Sequence, residues 1–600
     1  MIPSRWKGVC MEGSDFKASL CNRKLIGARY YDITGQLDKD KNPAGSARDE
    51  VGHGTHTSSI AAGARVTNAS YFGLGRGTAR GGLPSARIAA YKACTVDGCA
   101  GSVILKAIDD AIEDGVDIIS ISIGMGSLFQ SDYLNDPIAI GAFHAQEMGV
   151  MVVCSAGNDG PDPYTIENSA PWIFTVAASN IDRDFQSTVV LGNGRTFRGS
   201  AINFSNLTRS RTYPIIFGEN AATEFTPSSE AMICYPGSLD RQKVAGKIVV
   251  CADNDASIPR KIKKEVAEDA RAIGLILINE DKKGLPLDSG SFPLSELGDK
   301  AGMQILKYVN TSRNPTSTIL PAVDVLGYKP APSVASFSSR GPGQLTENIL
   351  KPDIMAPGVA ILAAMIPISE MGNKQPGYAI KSGTSMACPH VTGAAAFIKS
   401  IHPEWSSSVI KSALMTTATI YNNMGKPLTN NSFFSANPHE MGVGEINPLK
   451  ALNPGLVFVT TTRDYLQFLC FYGYKEKLVR SMSNTNFKCP KHSYEELIPN
   501  MNYPSISISK LDRHKSSQTV KRRVTNVGSP NSTYIARVQA PMGLLVNVAP
   551  KKMVFIEGLA RRSFKVTFSG KEATRGYNFG SITWFDGRHS VRVVFAVYVE

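Results

Sequence analysis

The sequence is poor in the features that mark several protein classes. Its most apolar stretches, such as GVDIISISIG and GVMVVCSAG, fall well short of the roughly 18 apolar residues that a membrane span needs. The opening MIPSRWKGVC has no basic stretch followed by an apolar core, so no signal peptide is read there. No CxxC pair and no Cys/His spacing of the zinc-binding kind occurs, and no metal or cofactor is expected. Internal repeats and low-complexity tracts are missing too, which sets aside collagens, coiled coils and disordered chains. Charged residues make up only 19% of the chain, with a basic excess of +13. Because Lys and Arg are scattered, and the densest clusters (RKIKK at 260–264, KRR at 521–523) are short, the excess reads as a solvated basic surface. Neither nucleic acid nor membrane is expected as a partner.

What is present describes a soluble chain of several domains: 600 residues, 42% hydrophobic, with 53 Gly and 34 Pro. Of its ten cysteines, eight fall into near neighbours: Cys10/Cys21, Cys94/Cys99, Cys234/Cys251 and Cys470/Cys489. Cys154 and Cys388 remain inside apolar runs. Pairing by proximity closes four small loops and suits an oxidising compartment, although ten unrelated reduced thiols would satisfy the same spacing. Six sequons, at Asn68, Asn203, Asn206, Asn310, Asn430 and Asn531, lean the same way. A secreted composition without a visible signal peptide suggests a chain that has lost its front.

From about 87 to 180, short apolar strands alternate with helical patterns. In SVILKAIDDAIEDG, residues Val103, Ile104, Ala107, Ile108, Ala111 and Ile112 recur at three- and four-residue spacing, an amphipathic helix. Such alternation means parallel strands with helices on the faces, and ligands then bind at the carboxyl ends of the strands. The loops at Gly124 and Asn158 sit at such ends. Residues 206–332 read as a separate small α/β unit, and the stretch past about 500 as eight short strands of a β-sandwich.

Three motifs carry chemistry. Gly383-Thr384-Ser385-Met386-Ala387 precedes a small-residue helical run, placing Ser385 at a helix N-terminus where free N–H groups favour negative charge; a plain N-cap serine would look the same. Gly52-His53-Gly54-Thr55-His56 places glycine on both sides of His53, so a substrate can approach its ring; a metal-ligand pair or a structural pair of histidines also fits. Ser155-Ala156-Gly157-Asn158-Asp159-Gly160 ends a buried strand and points the Asn158 amide into the crevice, or is simply an Asn-Asp-Gly turn. Hydrolysing an amide with serine needs a nucleophile, a base, an orienter for the base and donors for the oxyanion.

In these residues the chain resembles the subtilisin-like serine proteases, and the plant subtilases in particular. GHGTHTSSIAAG, SAGNDG and GTSMACPHVTGAAA are similar to the family's histidine, oxyanion and serine motifs, and ASFSSRGP with KPDIMAPG to the stretch that leads to the serine. SRWKGVC, CNRKLIGARYY, ALNPGLVF, DYLQFLC and MNYPSISI resemble plant-type flanking signatures. The resemblance implies a subtilisin-like α/β parallel-sheet catalytic domain at 1–205 and 333–455. It implies a protease-associated insertion at 206–332, a linker at 456–495 and a fibronectin type III-like β-sandwich at 496–600. It assigns His53 as general base, Ser385 as nucleophile and Asn158 as oxyanion donor. Ser122, Ile123 and Gly124 would pair with a peptide as an added strand, with Gly157 and Thr384 beside them. It pairs the cysteines as proximity does, implies peptide or protein substrates in the apoplast or cell wall, and admits a homodimer through the insertion. The family's triad aspartate precedes the SRWKGVC segment, so it and its strand, with signal peptide and propeptide, are expected to be absent. Asp32-Ile33-Thr34-Gly35 follows CNRKLIGAR and is not expected to replace it, and Asp49 reads as a structural partner of the histidine loop. A degenerate homologue that binds peptides without cutting them is the alternative; an unrelated adhesion protein would need all three motifs to coincide by chance.

Overall fold

A computed structural model describes residues 2–31, 45–252, 258–279, 285–367, 377–483, 485–513 and 517–600. Asp32-Ile33-Thr34-Gly35 lies outside the described residues. The alternation read between 87 and 180 is realised as strands Ile88–Lys92, Ile118–Ile121, Met151–Ser155 and Phe174–Ser179, with helices Gly101–Asp114 and Pro137–Glu147 between them. The first helix buries Val103, Ile104, Ala107, Ile108 and Ala111, leaves Ile112 partly buried, and stops at Gly115, whose φ of 86° suits a left-handed C-cap. Strands 354–357, 174–179, 151–155 and 118–121 form, in that order, a parallel sheet.

Helix Thr384–Ile401 packs against all four of these strands. Its Ala387, Val391, Ala395 and Ile398 are completely buried, and burying each large aliphatic side chain contributes about 1.5–3 kcal/mol. The small residues that dominate this helix let it run close to the sheet.

A second parallel pair, Leu25–Tyr30 with Ile88–Lys92, stands apart from that sheet. Among the described residues, Ile88–Lys92 does not pair with Ile118–Ile121, although the Gly101–Asp114 helix leads from one to the other. All five residues of 88–92 are half-buried, whereas 151–155 and 174–179 are buried at every position. Polar bonds tie the pair to the helix instead: Arg29 Nε and Tyr91 Oη each donate to Asp114 Oδ2 at 2.8 Å.

The inserted unit is a sheet of eight strands among the described residues, and it closes on itself because Arg183–Leu191 pairs with both Thr316–Ile319 and Thr196–Ser200. It therefore starts at Arg183, upstream of the boundary at 206 expected from the change in composition. Ring closure is a long-range pairing that local composition does not report.

Beyond it, two sheets form the sandwich, in the orders 456–458, 518–526, 561–569, 545–549 and 505–511, 590–599, 576–585, 532–539, 552–555. All eight expected strands are present, and Leu456–Phe458, from the stretch read as a linker, adds a ninth among the described residues. Trp584, Phe564, Phe568 and Phe595 fill the core between the sheets.

The four cysteine pairs are disulfides, and Cys154 and Cys388 are free and buried. Of the sequon asparagines, Asn203 is fully buried and donates its amide to Leu294 O at 2.8 Å, which leaves no room for a glycan on the folded chain.

Candidate active site

The loops at Gly124 and Asn158 do leave the carboxyl ends of adjacent parallel strands, 118–121 and 151–155, and the serine helix begins beside them. Asn158 Oδ1 accepts from Thr384 N at 2.9 Å and from Thr384 Oγ1 at 3.0 Å. With its oxygen so engaged, the exposed Asn158 side chain has Nδ2 donors that nothing else among the described residues takes up, next to Thr384 and the serine. Thr384 Oγ1 also reaches Gly157 O at 3.2 Å, and Ser122 Oγ donates to Ser385 O at 2.9 Å. Ser385 Oγ is 3.4 Å from Ser122 O, a weak contact that leaves the hydroxyl available. Ser385 is the second residue of its helix, so its backbone N–H is one of the first-turn donors without an intrahelical acceptor.

His53 is the first residue of helix His53–Ala62, which packs on the serine helix; Ile60 shares a small core with Met386. The hairpin Ile361–Ala364/Tyr378–Lys381 joins the two, since Lys381 lies near His53 and leads through Gly383 to Ser385. Gly52 turns the chain into the helix at φ 81°, and a Cβ there would strike Met365 Sδ at 2.5 Å. Burial first, then the Lys381 ammonium, hold the His53 pKa below its ordinary value; Asp49 pulls weakly the other way. Among the described residues no carboxylate hydrogen-bonds the His53 ring. Asp49 is committed elsewhere: its carboxylate accepts from Val51 N, Gly52 N, Thr55 N and Thr55 Oγ1 at 2.7–3.0 Å, closing the turn ahead of the helix. His56 is completely buried with Nε2 3.1 Å from Ala379 O, and burial pushes its pKa down to about 4.

Two residues here escaped sequence reasoning. Asn168, at φ 53°, donates its amide to Ile123 O at 3.0 Å and Ser155 O at 2.9 Å, stapling the two loops together. Glu167 precedes it and faces the crevice. The run TIENSAPW offers no periodicity and no spaced partner, so only the fold brings the pair to the loops.

A family model described as the subtilase family matches residues 12–444, across the whole of this site, and a fibronectin type-III domain model matches 500–597. The chain belongs to the subtilase family. It is 46% identical over 599 residues to the "CO(2)-response secreted protease" of Arabidopsis thaliana, covering 98% of this chain and 77% of that protein. It is 43% identical over 616 residues to the subtilisin-like protease SBT5.1 (99% and 78%) and 43% over 609 residues to SBT1.7 (98% and 78%), both of the same plant. By family this subtilase is a subtilisin-like serine protease.

Proposed function

We propose that this subtilase is a serine endopeptidase of an oxidising, extracellular compartment that cuts peptides laid along Ser122–Gly124. Ser385 Oγ attacks the scissile carbonyl while His53 takes its proton and later returns it to the leaving amine. Asn158 Nδ2 and the Ser385 N–H receive the oxyanion at the positive end of the serine helix. The observation that carries this reading is the pair of hydrogen bonds that Thr384 N and Oγ1 donate to Asn158 Oδ1, which turns the amide's Nδ2 toward Ser385 as a donor. Four disulfides support the compartment, as does a relative named a secreted protease. No helix among the described residues is long and apolar enough to cross a membrane.

Among the described residues no carboxylate is bonded to the His53 ring, so this reading assigns the base and the nucleophile but no triad acid. The free ring also favours a second reading, a peptide-binding homologue with impaired catalysis. Turnover of internally quenched peptides by the secreted, disulfide-bonded chain decides between them, with Ser385→Ala as the blank. Cleavage that disappears in the blank supports the endopeptidase; folded protein that binds peptides without Ser385-dependent cleavage supports the second reading.

A further inference from the structure

The Glu167 carboxylate occupies the space between the two loops that would hold the scissile residue. A Cβ on Gly124 would lie 1.4 Å from Glu167 Oε2, and one on Gly157 would lie 2.8 Å from Oε1, so glycine at both positions is what admits the carboxylate. The backbone N–H of Gly126 lies beside it, and the neighbouring acidic group is Asp159, whose Oδ2 accepts from Ser127 N at 2.9 Å across the mouth of the loops. Among the described residues no Lys, Arg or His forms an ion pair with Glu167, in a chain carrying 64 Lys and Arg. Its position is not loose, because Asn168 anchors the next residue to both loops through Ile123 O and Ser155 O.

A carbonyl carbon held between Ser385 Oγ and Asn158 Nδ2 is bonded to the Cα of the residue on its amino side. That residue's side chain then enters between Gly124 and Gly157, toward Glu167. We propose that Glu167, seconded by Asp159, selects a lysine or arginine side chain at the substrate residue immediately N-terminal to the cleaved bond. This rests on the endopeptidase reading and names its substrate class. Burial and the repulsion of Asp159 raise the Glu167 pKa, as expected of a carboxylate held without a counter-charge; an incoming ammonium or guanidinium supplies one.

The test uses internally quenched peptides that differ only at that residue: Arg, Lys, norleucine (the uncharged analogue of the lysine side chain) and Phe. A charge-assisted bond in a partly buried site predicts kcat/KM for Lys above norleucine by about tenfold to a hundredfold. Glu167→Gln brings that ratio toward one, and Asp159→Asn lowers it less. A Lys-to-norleucine ratio near one in the unaltered protein, or a ratio untouched by Glu167→Gln, overturns the inference. The same peptides are titrated calorimetrically onto the Ser385→Ala protein, where charge is read without turnover. Charge-selective binding with no turnover in the active chain sustains the inference and sinks the hydrolytic reading, and equal affinity for Lys and norleucine sinks the inference.

Discussion

On the serine side of the crevice, each orienting contact is made within the described fold: Thr384 holds the Asn158 amide, Ser122 holds the Ser385 backbone, and Asn168 ties the two loops. On the histidine side, the ring of His53 sits at its helix N-terminus with no carboxylate bonded to it among the described residues, and Asp49, the acid that acts on it electrostatically, is spent on the turn. The sheet mirrors this asymmetry. Its 118–121 to 354–357 part is continuous, with 151–155 and 174–179 buried at every position and only Ile121 buried in the edge strand 118–121, whereas the 25–30/88–92 pair is mostly half-buried and separate. Among the described residues the serine side is therefore held by its own hydrogen bonds, while no carboxylate is bonded to the His53 ring.

The comparison breaks most sharply at the nucleophile. Ser385→Ala should lower kcat by about 10⁶-fold, as loss of the nucleophile does in subtilisin itself, with circular dichroism unchanged. Asn158→Ala should cost about 10²–10³-fold in kcat with little change in KM, the size of one oxyanion donor. If Asn158→Ala instead raises KM alone, the amide serves binding and the serine side is not the one described here.

Asp49 sharpens the other side. As a turn-closing residue, its change to Ala should cost about 1–2 kcal/mol of stability by denaturant titration and less than tenfold in kcat. A triad acid would instead cost about 10⁴-fold. The smallest effect is on pH. With its pKa held below the ordinary 6.5, His53 stays neutral, and so competent as a base, to lower pH; the acid limb of kcat/KM should lie under 6.5. Lys381→Gln removes the repulsion that disfavours imidazolium, so the His53 pKa rises and the limb moves to higher pH. A limb that stays in place would mean that another group titrates there.

Much of the serine side was legible because each of its parts is a local signal. Ser385 precedes a small-residue helix, and Asn158 ends an apolar strand. The disulfide pairs are close in sequence, and sandwich strands alternate at regular spacing. Features made by distant pairing were not legible. The closed sheet beginning at Arg183, the ninth sandwich strand at Leu456–Phe458 and the meeting of Glu167 with Gly124 and Gly157 depend on register and loop approach, which no short window of sequence records. Asn203 fits the same rule: its sequon is visible locally, but its burial is decided by strands more than 80 residues away.

Covalent labelling probes most directly whether His53, Asn158 and Ser385 share one crevice. A peptidyl diphenylphosphonate is incubated with the full chain and the modified residue identified by peptide mass spectrometry. A single adduct on Ser385, which slows by orders of magnitude in folded His53→Ala and less in Asn158→Ala, is the predicted result. An unlabelled Ser385 in folded protein, or labelling at the same rate without the His53 imidazole, would contradict it.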